Sequence, residues 1–510
     1  MAGLVSLVTA LSLATVSAGT SATAATGSSD QPASVRAATR TQARQVARGA
    51  LRTARRTMSG QATRTDASMA LLRLRLTLHA LPPAGRRAAA AVLARPTDNP
   101  DLYGQAYTTR AKRACSRHIC IHWVPTSRDA PPDRAWVDRQ LRMLEHVWTY
   151  EVKELGYHRP RSDGARGGGG SGKFDVYLAE LYRRGLYGLT VAERPTPHHR
   201  HLYSSYLVID NDFRRSQFHG PPMQVARVTA AHEFFHAIQY GYDADEDPWL
   251  METSSTWMEE QFDDSSDDNR QYLAWSQLQK PGTPLDTYSS TGFEQYGNWV
   301  FLEYLSERFG RGVVRRIWRQ AAAFGGDRYS AGAIRAVLRR YGGMSSVFGS
   351  YANGNTAPGS TYAEGAAYPV AGVASSITLT AGAPRKPWTS YDVRHLSSVN
   401  LRAIPGRGLT GNGWRLWLTV DGPRRATAPS VVVRVERTGS PATQTLVPLS
   451  REGHGLVSVP FGSTTVRRVT ITLANASTRF TCHTDGGFSC RGTSKDPHTR
   501  FTVRLVARQR

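Results

Sequence analysis

The segment Met223–Tyr240 constrains the fold more than any other stretch of the chain. Its apolar residues Val225, Val228, Ala230, Ala231 and Ile238 recur at helical spacing, and Gly241 follows as a stop. Within it, His232-Glu233-Phe234-Phe235-His236 places two histidines four apart. On a helix, residues i and i+4 project from one face, so both imidazoles can reach a single ion. Glu233 sits between them, where its carboxylate can take a proton from a metal-bound water. Zinc lowers the pKa of such a water to about 7, which makes hydroxide available at neutral pH. A chain that uses two imidazoles in this way needs a third ligand, and so a second element folded across the helix.

Histidine cannot supply that third ligand locally. Position 242, six residues after His236, is Tyr, and no histidine occurs before His395. A carboxylate must therefore complete the site. Glu252 lies in the segment Trp249-Leu250-Met251-Glu252-Thr253-Ser254-Ser255-Thr256-Trp257-Met258-Glu259-Glu260, after a turn over 241–248 long enough to reverse the chain. Glu259 and Glu260 are the other carboxylates on that predicted helix.

The run HEFFHAIQYGY followed by WLMETSSTWMEE resembles the gluzincins, among them thermolysin-like and hyicolysin-like peptidases and secreted metalloproteases of actinobacterial and myxobacterial type. The resemblance covers residues 223–262 well and 115–345 loosely. It implies His232, His236 and Glu252 as ligands of one zinc ion, Glu233 as general base, and a secreted endopeptidase acting on protein or peptide substrates. Two departures bear on the second shell. Thr256 stands where thermolysin has Asp, and Met251 and Thr253 flank Glu252 where many relatives have Asn and Gly. The residue that orients the first histidine is thus unassigned. Aminopeptidases with this helix pair carry a Gly-x-Met-Glu-Asn strand, and Tyr206-Leu207-Val208-Ile209-Asp210 does not match it. For the oxyanion the candidates are Tyr272, Tyr288 and Tyr296. Tyr296 opens a predicted helix at a place where relatives keep a Tyr.

The rest of the chain supplies context. Residues 1–24 read as a signal peptide, with an apolar run to Ala18 and a small-residue site at Ala22-Thr23-Ala24, although no Lys or Arg precedes the run. Residues 25–110 form a basic, helix-prone segment in which Arg36, Arg40, Arg44, Arg48, Arg52 and Arg56 recur every four positions. It reads as a propeptide or as a polyanion-binding tail. The net charge is +24, but residues 1–113 hold 16 Lys or Arg against 4 Asp or Glu, so half of it sits in this segment rather than on a nucleic-acid-binding face. The pairs Cys115/Cys120 and Cys482/Cys490 read as two local disulfides of an exported protein. Residues 111–365 are expected to form the catalytic domain. After about Ala366 short β-rich segments separated by Gly, Pro and Ser predict a β-sandwich or jelly roll over 366–510.

The expected fold class is therefore α+β, a zincin-like metalloprotease domain with an HExxH helix followed by an all-β domain. Zinc is the expected cofactor. Calcium at the acidic run from Asp243 to Asp268 is a weaker expectation, since the ordered oxygen spacing of a calcium loop is absent. Neither nucleic acid nor stable membrane association is expected, and the location is extracellular, of bacterial type. The rival reading is a non-catalytic surface or adhesive protein whose β-module binds a ligand and whose zinc helix is vestigial. His198-His199-Arg200-His201 reads as a solvated loop.

Overall fold

A computed structural model describes residues 33–61, 66–98, 106–168, 172–484 and 486–509. The expected signal peptide lies outside them. The chain is of mixed α and β structure. Three helices come first, α1 (Ala33–Met58), α2 (Ala67–Thr77) and α3 (Pro83–Val92). Strands β1 (Lys112–Cys115) and β2 (Ile119–Trp123), helix α4 (Arg134–Trp148), and strands β3 (Phe174–Ala179), β4 (Gly188–Thr196) and β5 (His199–Asp210) follow. A short turn α5 (Arg215–Phe218) then leads into the long helices α6 (Pro222–Asp243) and α7 (Pro248–Phe262), each with proline in its first turn.

The five strands form one sheet in the order β1-β2-β3-β5-β4, in which β2, β3 and β5 run parallel and β1 and β4 are antiparallel edges. The Cys115–Cys120 disulfide ties β1 to β2. Side chains alternate across a strand, and both faces of this sheet are apolar. Val176, Leu178, Leu207 and Ile209 face the core shared with α4 and α6. Tyr177, Ala179, Tyr206 and Val208, one residue out of phase, pack with Leu189 and Val191 against Ala47, Ala54, Leu71, Leu74 and Val92 of the first three helices. The basic N-terminal segment is thus the second cover of the sheet. In α1 the buried face is Ala47, Ala50, Ala54 and Met58, and Arg40, Arg44, Arg48, Arg52 and Arg56 are exposed. Among the described residues no ion pair joins that stripe to the acidic run 243–268. Those acids meet other cations, with Asp263 on Arg227, Asp267 on Arg270 and Asp245 on Arg491.

Helices α8 (Glu294–Gly297), α9 (Trp299–Phe309), α10 (Gly312–Ala321), α11 (Ser330–Leu338) and α12 (Met344–Gly354) complete the helical half. Strands β6 (Ser375–Leu379), β7 (Arg385–Arg394), β8 (Ser397–Pro405), β9 (Trp414–Asp421), β10 (Pro429–Arg437), β11 (Thr443–Leu446), β12 (His454–Pro460), β13 (Val466–Asn475) and β16 (His498–Gln509) build two sheets. Their orders are β11-β10-β13-β8-β6 and β12-β9-β16-β7. Leu401, Val431, Val433 and Ile471 of one meet Leu418, Val420, Val503 and Leu505 of the other in a shared core, so the segment is a β-sandwich. The small hairpin β14 (Phe480–Thr481) and β15 (Thr493–Ser494) carries the Cys482–Cys490 disulfide.

That disulfide loop docks on the start of α7. Asp247, just before the helix, accepts from the backbone N–H of Cys490 at 2.6 Å and of Arg491 at 3.2 Å. Asp286 accepts from the N–H and hydroxyl of Ser489 at 3.0 and 2.9 Å. Among the described residues no helix is long and apolar enough to cross a membrane.

Candidate metal centre

Helices α6 and α7 bring one potential ligand atom each of His232, His236 and Glu252 within 4.8 Å of one another. His236 Nε2 lies 3.1 Å from His232 Nε2, and the two oxygens of Glu252 lie 3.3 Å from these nitrogens, one each. Donors about 2.0–2.1 Å from a tetrahedral zinc stand about 3.3–3.4 Å apart, so these edges fit a zinc ion. Both Glu252 oxygens are buried and neither takes a hydrogen bond. Burial pushes the Glu252 carboxyl up, but His236 and His232 outweigh it and hold it below the ordinary carboxylate range. Burial likewise opposes a charged His232, and Glu252 and Glu259 overcome it. The centre favours positive charge.

Each imidazole is fixed through its other nitrogen. His232 Nδ1 lies 2.6 Å from Glu259 Oε1, and His236 Nδ1 lies 2.8 Å from Gln239 Oε1. Gln239 is itself held, because its amide donates to the Met251 carbonyl at 2.9 Å and the Ser255 hydroxyl at 3.0 Å. With Nδ1 engaged by an acceptor, Nε2 of each ring is the nitrogen that faces Glu252. Glu259 therefore takes the orienting role that Thr256 cannot fill, and it is not a ligand. The signal was present in the sequence, since Glu252 and Glu259 are seven apart and share a helix face.

Glu233 projects beside the triad. Its Oε2 accepts from Thr190 Oγ1 of β4 at 2.7 Å and from Ser68 Oγ of α2 at 2.9 Å. Gly188 makes this approach possible, because a Cβ there would stand 2.8 Å from Glu233 Cγ and 2.9 Å from Thr229 Cγ2. A cleft of about 550 Å³ opens over His232 and Glu233, walled by Tyr187, Tyr272, Trp275, Phe293 and Tyr296, with Asp66 and Ala67 at its rim. Tyr296 stacks against Tyr272 with centroids 5.1 Å apart, lies 6.2 Å from the His232 ring, and donates its hydroxyl to Asp66 Oδ2 at 2.7 Å. Of the three candidate tyrosines, Tyr272 and Tyr296 line the cleft and Tyr288 does not. Desolvation and the adjacent Glu252 carboxylate push the Asp66 carboxyl well above its ordinary range.

His198 to His201 forms the turn and start of the β4–β5 hairpin, away from this centre. Glu260, Asp264 and Glu364 gather into a second acidic group.

Residues 215–326, which carry α6 and α7, match the model of a family of unknown function, DUF6055. No curated protein matches the chain. Among solved structures the chain is similar, at 8% identity and a TM-score of 0.15, to a family GH115 4-O-methyl-α-glucuronidase with specificity for decorated arabinogalactans. The match covers 70% of this chain and spans about half (54%) of the glucuronidase. The metallopeptidase expected from the sequence is corrected here. The solved enzyme that matches is named a glucuronidase, and the family that matches is of unknown function, so neither names a peptidase. A likeness at that TM-score carries no argument for glycoside chemistry in its turn. What the site can do is argued from its own residues.

Proposed function

We propose that His232, His236 and Glu252 hold one zinc ion and that the chain is an exported hydrolase whose general base is Glu233. The observation that carries this reading is that two imidazole Nε2 atoms 3.1 Å apart each approach a different oxygen of the buried Glu252 carboxylate at 3.3 Å. When bound, the ion would polarise a water and the acyl group that the water attacks. Glu233 accepts the proton of that water, and Thr190 steadies the carboxylate as it does so. Glu259 and Gln239 hold the two imidazoles in the tautomer that presents Nε2. Tyr296, on the cleft wall, is placed to donate to a developing oxyanion once its hydroxyl leaves Asp66. The crossed helix pair is read as a zincin-like arrangement, and the two disulfides support an exported chain.

The test is metal analysis of the purified protein together with a panel of labelled casein, a chromogenic ester and a chromogenic glucuronide. About one zinc per chain is expected. Glu233→Gln should keep the metal and lose hydrolysis of whichever substrate the wild type turns over. Stoichiometric zinc in a His232→Ala, His236→Ala double variant would refute the site. A Glu233→Gln variant that keeps more than about a tenth of the rate, below the usual 10²–10⁴-fold contribution of a general base, would refute the base. Zinc bound with no turnover anywhere on the panel favours the rival, a non-catalytic surface protein.

A further inference from the structure

The sandwich is the second basic region of the chain, with 20 Lys or Arg against 6 Asp or Glu over residues 366–510. One of its sheets is covered by α12, where Asn353 donates to Thr472 of β13 at 3.0 Å. The outer face of the other sheet, β12-β9-β16-β7, is turned to solvent. Strand register aligns its outward side chains in rows. Leu456 stands opposite Thr419, Thr419 opposite Arg504, and Arg504 opposite the irregular step of β7 that carries Trp388. The next row runs His454, Asp421, Thr502 and Ser390. Trp388 is 48% exposed and Leu456 58%, and with Thr419, Asp421 and His454 they line a shallow groove of about 540 Å³. Asp421 Oδ1 lies 3.1 Å from His454 Nδ1, and the Ser390 and Thr502 hydroxyls bond at 2.9 Å.

Positive charge is in surplus on this face. Asp392 pairs with Arg500 and Asp421 with His454, so among the described residues neither acid pairs with Arg504 or Arg508. Arg508 instead lies over the Trp417 ring, 4.2 Å from its centroid. We propose that the face binds an acidic polysaccharide, one that carries carboxylates on its sugar rings. The flat apolar ring of Trp388 suits the C–H face of a pyranose, and an exposed apolar patch with a polar rim is the mark of a binding surface. Arg504, beside it, offers a guanidinium fork that matches a carboxylate. Thr419, Asp421 and the Ser390–Thr502 pair supply donors and acceptors for ring hydroxyls. Nucleic acid fits less well, because duplex DNA carries one charge per about 1.7 Å of axis and would set phosphates against Asp421 and Asp392. A uronic chain has at most one carboxylate per ring. No residue of the metal centre lies on this face, so binding does not depend on the triad.

The experiment is affinity electrophoresis of the full chain in gels containing polygalacturonate, with neutral galactan and duplex DNA in parallel. Polygalacturonate should retard the protein, less so as salt rises, and the galactan should not. The exposed arginines of α1 also attract polyanions, so the variants decide. Trp388→Ala should weaken binding by about tenfold or more, the scale seen when a central interface Trp is truncated, and Trp388→Phe should keep most of it. Arg504→Gln should weaken binding and flatten its salt dependence. Retardation of Trp388→Ala equal to that of wild type, tighter binding of DNA than of polygalacturonate, or equal retention by the galactan would overturn the proposal. If Trp388→Ala lowers the thermal midpoint, Arg504→Gln decides by itself, and its unchanged retardation overturns the proposal.

Discussion

Arg95 fastens the N-terminal layer to the sheet, and replacing it tests whether that layer is integral to the fold. Its guanidinium is buried, with Nε and Nη2 donating to the two oxygens of Glu193 at 2.8 and 2.5 Å. Nη1 donates to Asp175 at 2.7 Å, and Nη2 also donates to Asp163 at 2.5 Å. Asp175 is shared with His122 at 2.8 Å. Arg95→Met keeps most of the volume and removes the charge, leaving three buried carboxylates of which Glu193 keeps only the half-exposed Arg166, at 3.5 Å. Removing one partner of a buried ion pair costs about 3–5 kcal/mol, and each 1.4 kcal/mol is a factor of about ten. Native-state hydrogen exchange reads segment opening directly. Protection in α1 and α2 should therefore fall by between about a hundredfold and a few thousandfold. The penalty should also depend on pH. Even beside Arg95, burial raises the Asp163 carboxyl to about 6. Without the arginine the folded carboxyls lie above their unfolded values, so the variant gains protons and stability as pH falls, and its deficit should shrink from pH 8 to pH 5. Less than a tenfold loss of protection at pH 8 would refute the argument that Arg95 holds the layer down.

Glu259→Gln should weaken zinc binding by about 10–100-fold, the usual effect of losing an outer partner, measured by competition with a chromophoric chelator. Gly188→Ala should displace Glu233 and lower hydrolysis with zinc content unchanged, because its Cβ would stand 2.8 Å from Glu233 Cγ; full activity would show that β4 gives way. Burial, with Glu364 and Glu303 nearby, raises Glu260 to about 8, and burial with Glu307 raises Glu303 to about 7. Folded values above the unfolded ones mean stability present at pH 4–5 and lost as pH rises through 7–8. The guanidinium midpoint should accordingly fall over that window, and Glu260→Gln should flatten the slope.

The helix pair was legible because its information is local. Two histidines at i and i+4 and a carboxylate after a short reversal bring these side chains together with few long-range assumptions, and the helix carrying the carboxylate runs Pro248–Phe262. The sandwich strands were legible for the same reason, except β7. Its sequence Arg385–Arg394 is mostly polar because it is an exposed edge. Strand β4 is hard to read from the sequence because Glu193 interrupts its apolar pattern, and only the fold reveals that Arg95 pairs it. The position of Asp66 and Ser68 could not be read at all. Ser68 meets Glu233 across 165 residues of sequence, and nothing near either residue specifies the other. The double-sided apolar pattern of β3 and β5 did signal a second cover for the sheet, without saying which segment supplies it.

The docking of the Cys482–Cys490 loop on Asp247 bears on the order in which the protein matures. Glu252 sits on the first turns of a helix whose leading residue is held by backbone amides that are synthesised more than two hundred residues later. A nascent or newly exported chain can present both histidines and the base well before that helix is seated. If the triad holds zinc as proposed, metal uptake during refolding should lag behind burial of the tryptophans and keep pace with loss of the free Cys482 and Cys490 thiols. A thiol-blocked chain that loads zinc as fast as the oxidised one would break that link between oxidation and metal loading.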